Sequence, residues 1–388
     1  MRSFTVEERR ARLARRHLLT TASGAGSIAD VASQLVGLHA TDPATPYLSL
    51  WARMPGFAVG DLDAALYRDR SVVKHLAMRR TLWVLAAGDL TAVQAAASDR
   101  VAANERKRLV ADVEKSGIAD DGESWLGHAS KAVLAYVDEH GPTSARELRA
   151  ALPELAGDHD PAPGRRWGGA TPVAPRVLTV LAVEGFLVRG PNDGTWTTSR
   201  PRWASASSWL GAAGNPTAAE AARALVIRAW LYAFGPATVN DVKWWFGNTL
   251  TWARDGLRDV GAVEVELHGT PGYVLPDDLE PESDAGPWCA LLPGLDVTTM
   301  GWQDRDWYLG EHRTQVFDGN GNAGPTAWWD GRVVGGWRQD ADGRVILQLL
   351  EDVSTKASKA LARKADQLTD WLGGVRINPR FPSPLSKG

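Results

Sequence analysis

The sequence lacks most of the residue patterns by which hydrolytic and redox sites announce themselves. A single cysteine, Cys289, stands among 388 residues, which excludes an intramolecular disulfide and a multi-thiolate metal site. Eight histidines are scattered along the chain without a His-Glu-x-x-His, so no metal is expected. The thiolate pair of a zinc deaminase is missing, as are a Gly-rich loop ending in Lys-Ser or Lys-Thr and a Gly-x-Ser-x-Gly elbow. Gly319-Asn-Gly321-Asn-Ala-Gly324 matches the dinucleotide fingerprint letter for letter. That fingerprint needs a helix directly behind it to hold a pyrophosphate, and here Pro325 and a strand-like run follow. The segment reads as a turn, and no organic cofactor is expected.

An excess of charge of either sign is also missing. Forty-three Lys and Arg against 46 Asp and Glu leave a net charge of −3. That total does not argue for a protein coated in nucleic acid, although near-neutrality can hide a basic face opposite an acidic one. Basic residues do cluster, between Arg2 and Arg16 and between Arg68 and Arg108. No run approaches 18 consecutive apolar residues, and the Arg-rich, Leu-punctuated start to Thr20 has no apolar signal core. A cytoplasmic protein that does not engage membranes is expected. Seven Phe and six Tyr are few beside 18 Trp, and indoles serve equally as core filler or as stacking surfaces.

What the chain does have is a repeat. Gly141-Pro-Thr-Ser144-Ala-Arg-Glu147-Leu and Gly235-Pro-Ala-Thr238-Val-Asn-Asp241-Val share one pattern, and Ser27-Ile-Ala-Asp30-Val is a fainter third copy. Each reads as a helix start, the hydroxyl accepting from a free backbone N–H and the acid lying against the positive end of the helix dipole. A helical pattern precedes each copy, over Val6 to Leu19, His128 to His140 and Ala218 to Phe234. A further helix and two short strands follow each. The strand pairs are Val72–Ala77 with Thr81–Leu85, Phe186–Arg189 with Thr195–Thr198, and Val263–Leu267 with Gly272–Leu275. Helix, helix, helix, hairpin is the winged helix-turn-helix layout. At this length two to four packed units are expected, and the repeat divides the chain into 1–125, 126–210 and 211–285. The remainder, 286–388, reads as a small antiparallel sheet or barrel, a closing helix from Asp352 to Leu372, and a frayed Pro- and Ser-rich tail from Asn378. The fold class is α+β, mainly helical.

Between the first repeat and its hairpin stands Gln34-Leu-Val-Gly-Leu-His39-Ala-Thr41-Asp42-Pro43. Three polar side chains crowd the segment just before Pro43. Taken alone, His39 fits a satisfied structural histidine and Asp42 an ordinary turn residue. This segment, with Met78-Arg-Arg-Thr-Leu-Trp83, Leu291-Leu-Pro-Gly-Leu-Asp296 and Asp330-Gly-Arg-Val-Val-Gly-Gly-Trp337, resembles the tandem winged-helix DNA glycosylases of the AlkZ/YcaQ family from about Val6 through Leu372.

The resemblance implies three winged helices and a small β-barrel curved around duplex DNA, acting as a monomer on an alkylated purine. Bulky N7-guanine adducts of a genotoxic natural product are the implied substrate, removed for self-resistance or base excision repair. The family's Gln-x-Gln or Gln-x-Asp motif falls on His39-Ala40-Thr41, a departure at both polar positions. Alkylation at N7 already makes guanine a good leaving group, so the site needs mainly to place water and stabilise an oxocarbenium-like transition state. On that basis His39 is the water-positioning group or general base, Thr41 its partner and Asp42 their support. No family-motif lysine for a Schiff base is present, so a monofunctional enzyme is expected. Phosphate contacts are assigned to Arg53, Arg79, Arg80, Arg165, Arg166, Arg200 and Arg202, with Trp167, Asn320 and Asn322 as groove probes. The alternative is a non-catalytic winged-helix DNA-binding protein.

Overall fold

The three copies of the repeat start helices in the way their side chains dictate. In a computed structural model describing residues 1–20, 26–160, 164, 168–211 and 217–387, Ser27, Ser144 and Thr238 each accept from the backbone N–H three residues on. Asp30, Glu147 and Asp241 reach back to the cap N–H. These reciprocal caps open helices α2 (Ile28–Gln34), α6 (Ala145–Ala151) and α9 (Val239–Phe246). Replacing any one cap hydroxyl with alanine is expected to cost about 1 kcal/mol of unfolding free energy. Urea melts of the single variants and the triple variant check this, the three losses adding because the caps share no partners.

The first stretch runs α1 (Val6–Arg16), α2, β1 (Leu38–His39), α3 (Thr45–Trp51), then the hairpin β2 (Val72–Leu76) and β3 (Leu82–Ala86). Strand β1 adds to that hairpin in the order β1-β3-β2, with His39 opposite Trp83. The second stretch has α4 (Asp99–Lys115), α5 (Gly122–His140), β4 (Thr143–Ser144), α6, α7 (Ala174–Val183), β5 (Leu187–Asn192) and β6 (Pro201–Ser205). Its second hairpin strand begins later than the sequence predicts. The Asn192 side chain bonds the carbonyls of Thr195 and Thr198 and accepts from Arg200 N–H, folding Thr195–Thr198 into a loop. The third has α8 (Ala219–Phe234), α9, α10 (Leu250–Asp259), β7 (Val263–Leu267) and β8 (Thr270–Val274), paired antiparallel.

The last segment corrects one expectation. Strands β9 (Cys289–Leu292), β10 (Thr326–Trp329), β11 (Arg332–Gln339) and β12 (Val345–Leu349) form an open antiparallel sheet in sequence order, with no closed barrel among the described residues. Helix α11 (Thr355–Leu372) packs against β9 and β12. Its Leu361 and Leu368 join Leu291 and Val334 in one buried cluster, so a helix covers the sheet that would otherwise have to close on itself.

The tail is not frayed. Ser383 is buried, and Leu385, in the short α12 (Pro384–Lys387), is nearly so. Gly324 and Gly336 make room for them, since a Cβ on Gly324 would meet Ser383 and one on Gly336 would meet Leu385.

Two main cores result. One gathers Leu13, Trp83, Trp230, Trp245, Trp302 and Trp328, joining the first and third stretches to the final segment. The other, from Leu109 to Trp203, is confined to the middle of the chain. Trp83, Trp230, Trp245 and Trp328 are fully buried, so indole here is mainly core filler. The Arg-rich first helix is likewise structural: Arg12 and Arg16 both pair with Asp278. Among the described residues, no helix is long and apolar enough to cross a membrane.

Candidate active site

His39 and Thr41 are set by the short strand β1 and its continuation. Ala40 N–H donates to Leu82 O, and Leu82 N–H donates to Thr41 Oγ1 at 3.1 Å. The Thr41 hydroxyl therefore keeps its own proton free to donate. Thr41 N–H lies 3.4 Å from His39 Nδ1, a long contact that favours the imidazole proton on Nε2. The ring tilts against Trp83 with centroids 5.0 Å apart and is only 3% exposed. Burial first, and the charge of Arg79 second, push its pKa down to about 3, against the opposing pull of Asp296. The imidazole is thus neutral, but it is a weaker base than the sequence predicts. Its Nδ1 faces a backbone donor, and its place is enclosed.

Asp42 is the better proton acceptor of the three. Burial pushes its carboxyl up, although Oδ1 accepts from Ala44 N–H and Oδ2 from Arg380 N–H. Arg380 also donates to Thr41 O at 3.3 Å, so the tail lies directly over the motif. Ala40 lines a small cleft together with Pro43, Lys74, Leu82, Arg189 and Asn192.

The proposed DNA contacts separate into distinct cases. Arg53 is not available: its side chain is 0% exposed and pairs with Asp296 at 2.8 Å. Burial alone would raise the Asp296 carboxyl, but Arg53, Ser49 and Thr298 hold it below its usual range. Arg202 is engaged by Glu147, Asp193 and Pro142 O, a poor arrangement for a phosphate contact. Asn322 is tied to Asp318, which also accepts from the N–H groups of Asn320 and Asn322. This closes Gly319–Gly324 as a turn. Arg200 and the Asn320 side chain are exposed. Arg80 is 57% exposed, although Glu105 holds its guanidinium with two bonds. Arg165, Arg166 and Trp167 lie outside the described residues. Arg79 is half-buried and stacks on Trp244, with its carbon Cζ 4.1 Å from the ring centroid. Arg305 and Trp244 flank this place without any local signal in the sequence. Among the described residues no group of acidic, His and Cys side chains could hold a metal ion.

Three buried histidines, His17, His39 and His75, have pKa values pushed down to about 3, 3 and 4, chiefly by burial. Each is neutral when folded and takes a proton near pH 6.5 once unfolded. The unfolded chain therefore binds more protons below that pH, and stability falls as pH falls, by up to about 1.4 kcal/mol per pH unit for each histidine. The urea midpoint is expected to drop clearly between about pH 7 and about pH 5.5. A midpoint that stays put across that window contradicts buried neutral imidazoles.

The fold is shared with a solved structure: that of the DNA glycosylase AlkZ from Streptomyces sahachiroi superposes with a TM-score of 0.75. That match has 22% sequence identity and covers 97% of this chain and 99% of that one. The interstrand DNA cross-link repair glycosylase of Streptomyces sahachiroi is 30% identical over 216 residues, 53% of this chain and 57% of that protein, so the alignment spans just over half of either. The profile of the AlkZ-like DNA glycosylases matches residues 32–371. The chain belongs to that family, and the matched span includes His39, Thr41 and Asp42.

Proposed function

We propose that this protein is a monofunctional DNA glycosylase of three tandem winged-helix units. It hydrolyses the N-glycosidic bond of alkylated purines in duplex DNA, with bulky N7-guanine adducts of a genotoxic natural product as substrates. The observation that carries the reading is the position of His39 and Thr41. A neutral imidazole at the end of the short strand β1 and a hydroxyl with a free proton two residues on sit within the span shared with the glycosylase family.

The chemistry follows from the leaving group. An N7-alkylated guanine is cationic, so its bond to the sugar breaks with the electron pair going to the base, and an oxocarbenium-like sugar remains. A water then adds to the anomeric carbon. His39 and Thr41 orient that water by hydrogen bonds, and Asp42, the stronger base, supports them as acceptor for the proton the water sheds. Strong general-base action by His39 is not required, which agrees with its low proton affinity. Removal of the lesion serves self-resistance or base excision repair. The exposed Arg80, Arg200 and Asn320 hold the duplex, joined by Arg165, Arg166 and Trp167.

The enclosure of His39 favours a second reading, a winged-helix protein that binds DNA without cutting a bond. A panel of duplexes bearing either bulky or methyl N7-guanine adducts, incubated with protein and treated with alkali, separates the two. Alkali-labile breaks at the bulky adducts support the enzyme. Release of methylated bases alone refutes the preference for bulky lesions, and retention of every duplex without breaks supports the second reading.

A further inference from the structure

The turn between β2 and β3 holds two consecutive non-glycine residues in the left-handed region, Arg79 at φ 54° and Arg80 at φ 59°. Such backbone is unfavourable for residues with a side chain and persists where the surroundings impose it. Here it delivers the Arg79 guanidinium onto Trp244, close over Gly247, where a Cβ would meet the Arg79 side chain at 3.0 Å. Arg79 Nε and Nη2 are buried there without a hydrogen-bond partner. Arg305 approaches the same indole, with Cζ 5.0 Å from its centroid, and lies 4.4 Å from the Phe317 ring centroid. Its Nε donates to Trp302 O, and among the described residues its Nη atoms have no partner.

Among the described residues neither guanidinium forms an ion pair. Asp241 and Asp306 act on Arg305 only through space. Asp241 is already occupied by the N–H groups of Gln303, Asp304 and Thr238 and by the Thr238 hydroxyl. Burial and the like charge of Arg305 press the Arg79 pKa down to about 9. Two cations sharing one aromatic platform, with donors unmet, form a site that is satisfied by an anion with several acceptor oxygens.

We infer that Arg79 and Arg305 form a two-pronged clamp for one DNA phosphodiester, the one beside the nucleotide presented to His39. The inference rests on the glycosylase reading for the identity of the strand, and for its place on the run of rings that leads from Arg79 over Trp245, whose centroid lies 5.7 Å from the Arg79 Cζ, and Trp83 to His39. The clamp fixes the sugar relative to the water-holding residues, and its phosphate lies near the cationic sugar as that charge develops. Arg79 and Arg305 are positioning residues, because they touch the backbone and not the reacting atoms.

The test uses the full chain and duplexes in which a neutral methylphosphonate replaces one linkage at a time around the lesion. With the unaltered protein, one linkage is expected to lower affinity about tenfold or more while its neighbours have little effect. In Arg79→Gln and Arg305→Gln that same linkage should lose its effect, and the slope of log affinity against log salt should flatten by about one phosphate. Arg79→Lys, which keeps charge without the fork, should recover part of the affinity, and thermal melts identify any variant that has failed to fold.

A flat methylphosphonate profile in the unaltered protein, or an undiminished linkage effect in both folded glutamine variants, overturns the clamp. Competition by millimolar inorganic phosphate as effective as that by duplex overturns its assignment to DNA. Base release alongside a flat profile removes the clamp and leaves the enzyme. A linkage-specific effect without base release keeps the clamp and removes the enzyme.

Discussion

Replacing Arg53 with alanine is expected to remove a large share of the protein's stability. The guanidinium donates to His17 O, Ser49 O, both oxygens of Asp296 and Thr298 Oγ1, each within 3.0 Å. All five donors are met, in a site closed to solvent. Removing the cation leaves Asp296 charged in a site that is 0% exposed. Breaking one side of such a pair costs about 3–5 kcal/mol, against a total stability of about 5–15 kcal/mol. Chemical and thermal melts measure the loss. An Arg53→Met, Asp296→Leu double variant should recover most of it, because an apolar pair leaves no orphaned charge. If Arg53→Ala instead melts normally and loses only DNA affinity, then Arg53 is a phosphate contact after all.

The second large effect concerns chemistry. His39→Ala should lower base release about 100-fold or more while retention of adducted duplex survives. His39→Gln, which brings back the family's commoner residue, should restore a measurable part. Both are read as alkali-labile breaks beside a binding assay. In the unaltered protein the imidazole should add no inflection to the rate between about pH 8 and about pH 5.5, since it does not charge in that range, and any fall on the acid side belongs to the Asp42 carboxyl, which burial pushes up. An inflection near the free-histidine value points to an ordinary exposed ring. Base release unaffected by His39→Ala removes the residue from the mechanism.

The parts of this architecture visible in sequence are those written locally. A hydroxyl and an acid three residues apart identify each capped helix, and alternation identifies β2, β3 and β7 within two residues. Strand β6 was hidden because a single side chain, Asn192, redirects the chain through three bonds before pairing resumes. The packed tail was hidden for a related reason. Its anchor points, Gly324 and Gly336, are remote in sequence, and a glycine before or within a strand gives no hint of what fills its missing side chain. Arg53 looked like one more surface arginine because its partner, Asp296, lies 243 residues away. The site itself was legible only through likeness to a family, since His39-Ala-Thr41 carries no motif of its own. Arg305 and Trp244 meet Arg79 only through the third dimension.

The separation of Arg53 from Asp296 also bears on how the chain is made. At about 5–20 residues per second on the ribosome, the arginine emerges roughly 12–50 s before its carboxylate exists. During that interval the early segment, including β1 and the motif, has no completed core. The middle of the chain, whose apolar residues from Leu109 to Trp203 satisfy one another, is free to fold meanwhile. Assembly is therefore expected to proceed from the inside of the sequence outward, with the segment bearing His39 among the last to reach its final form although it is translated early.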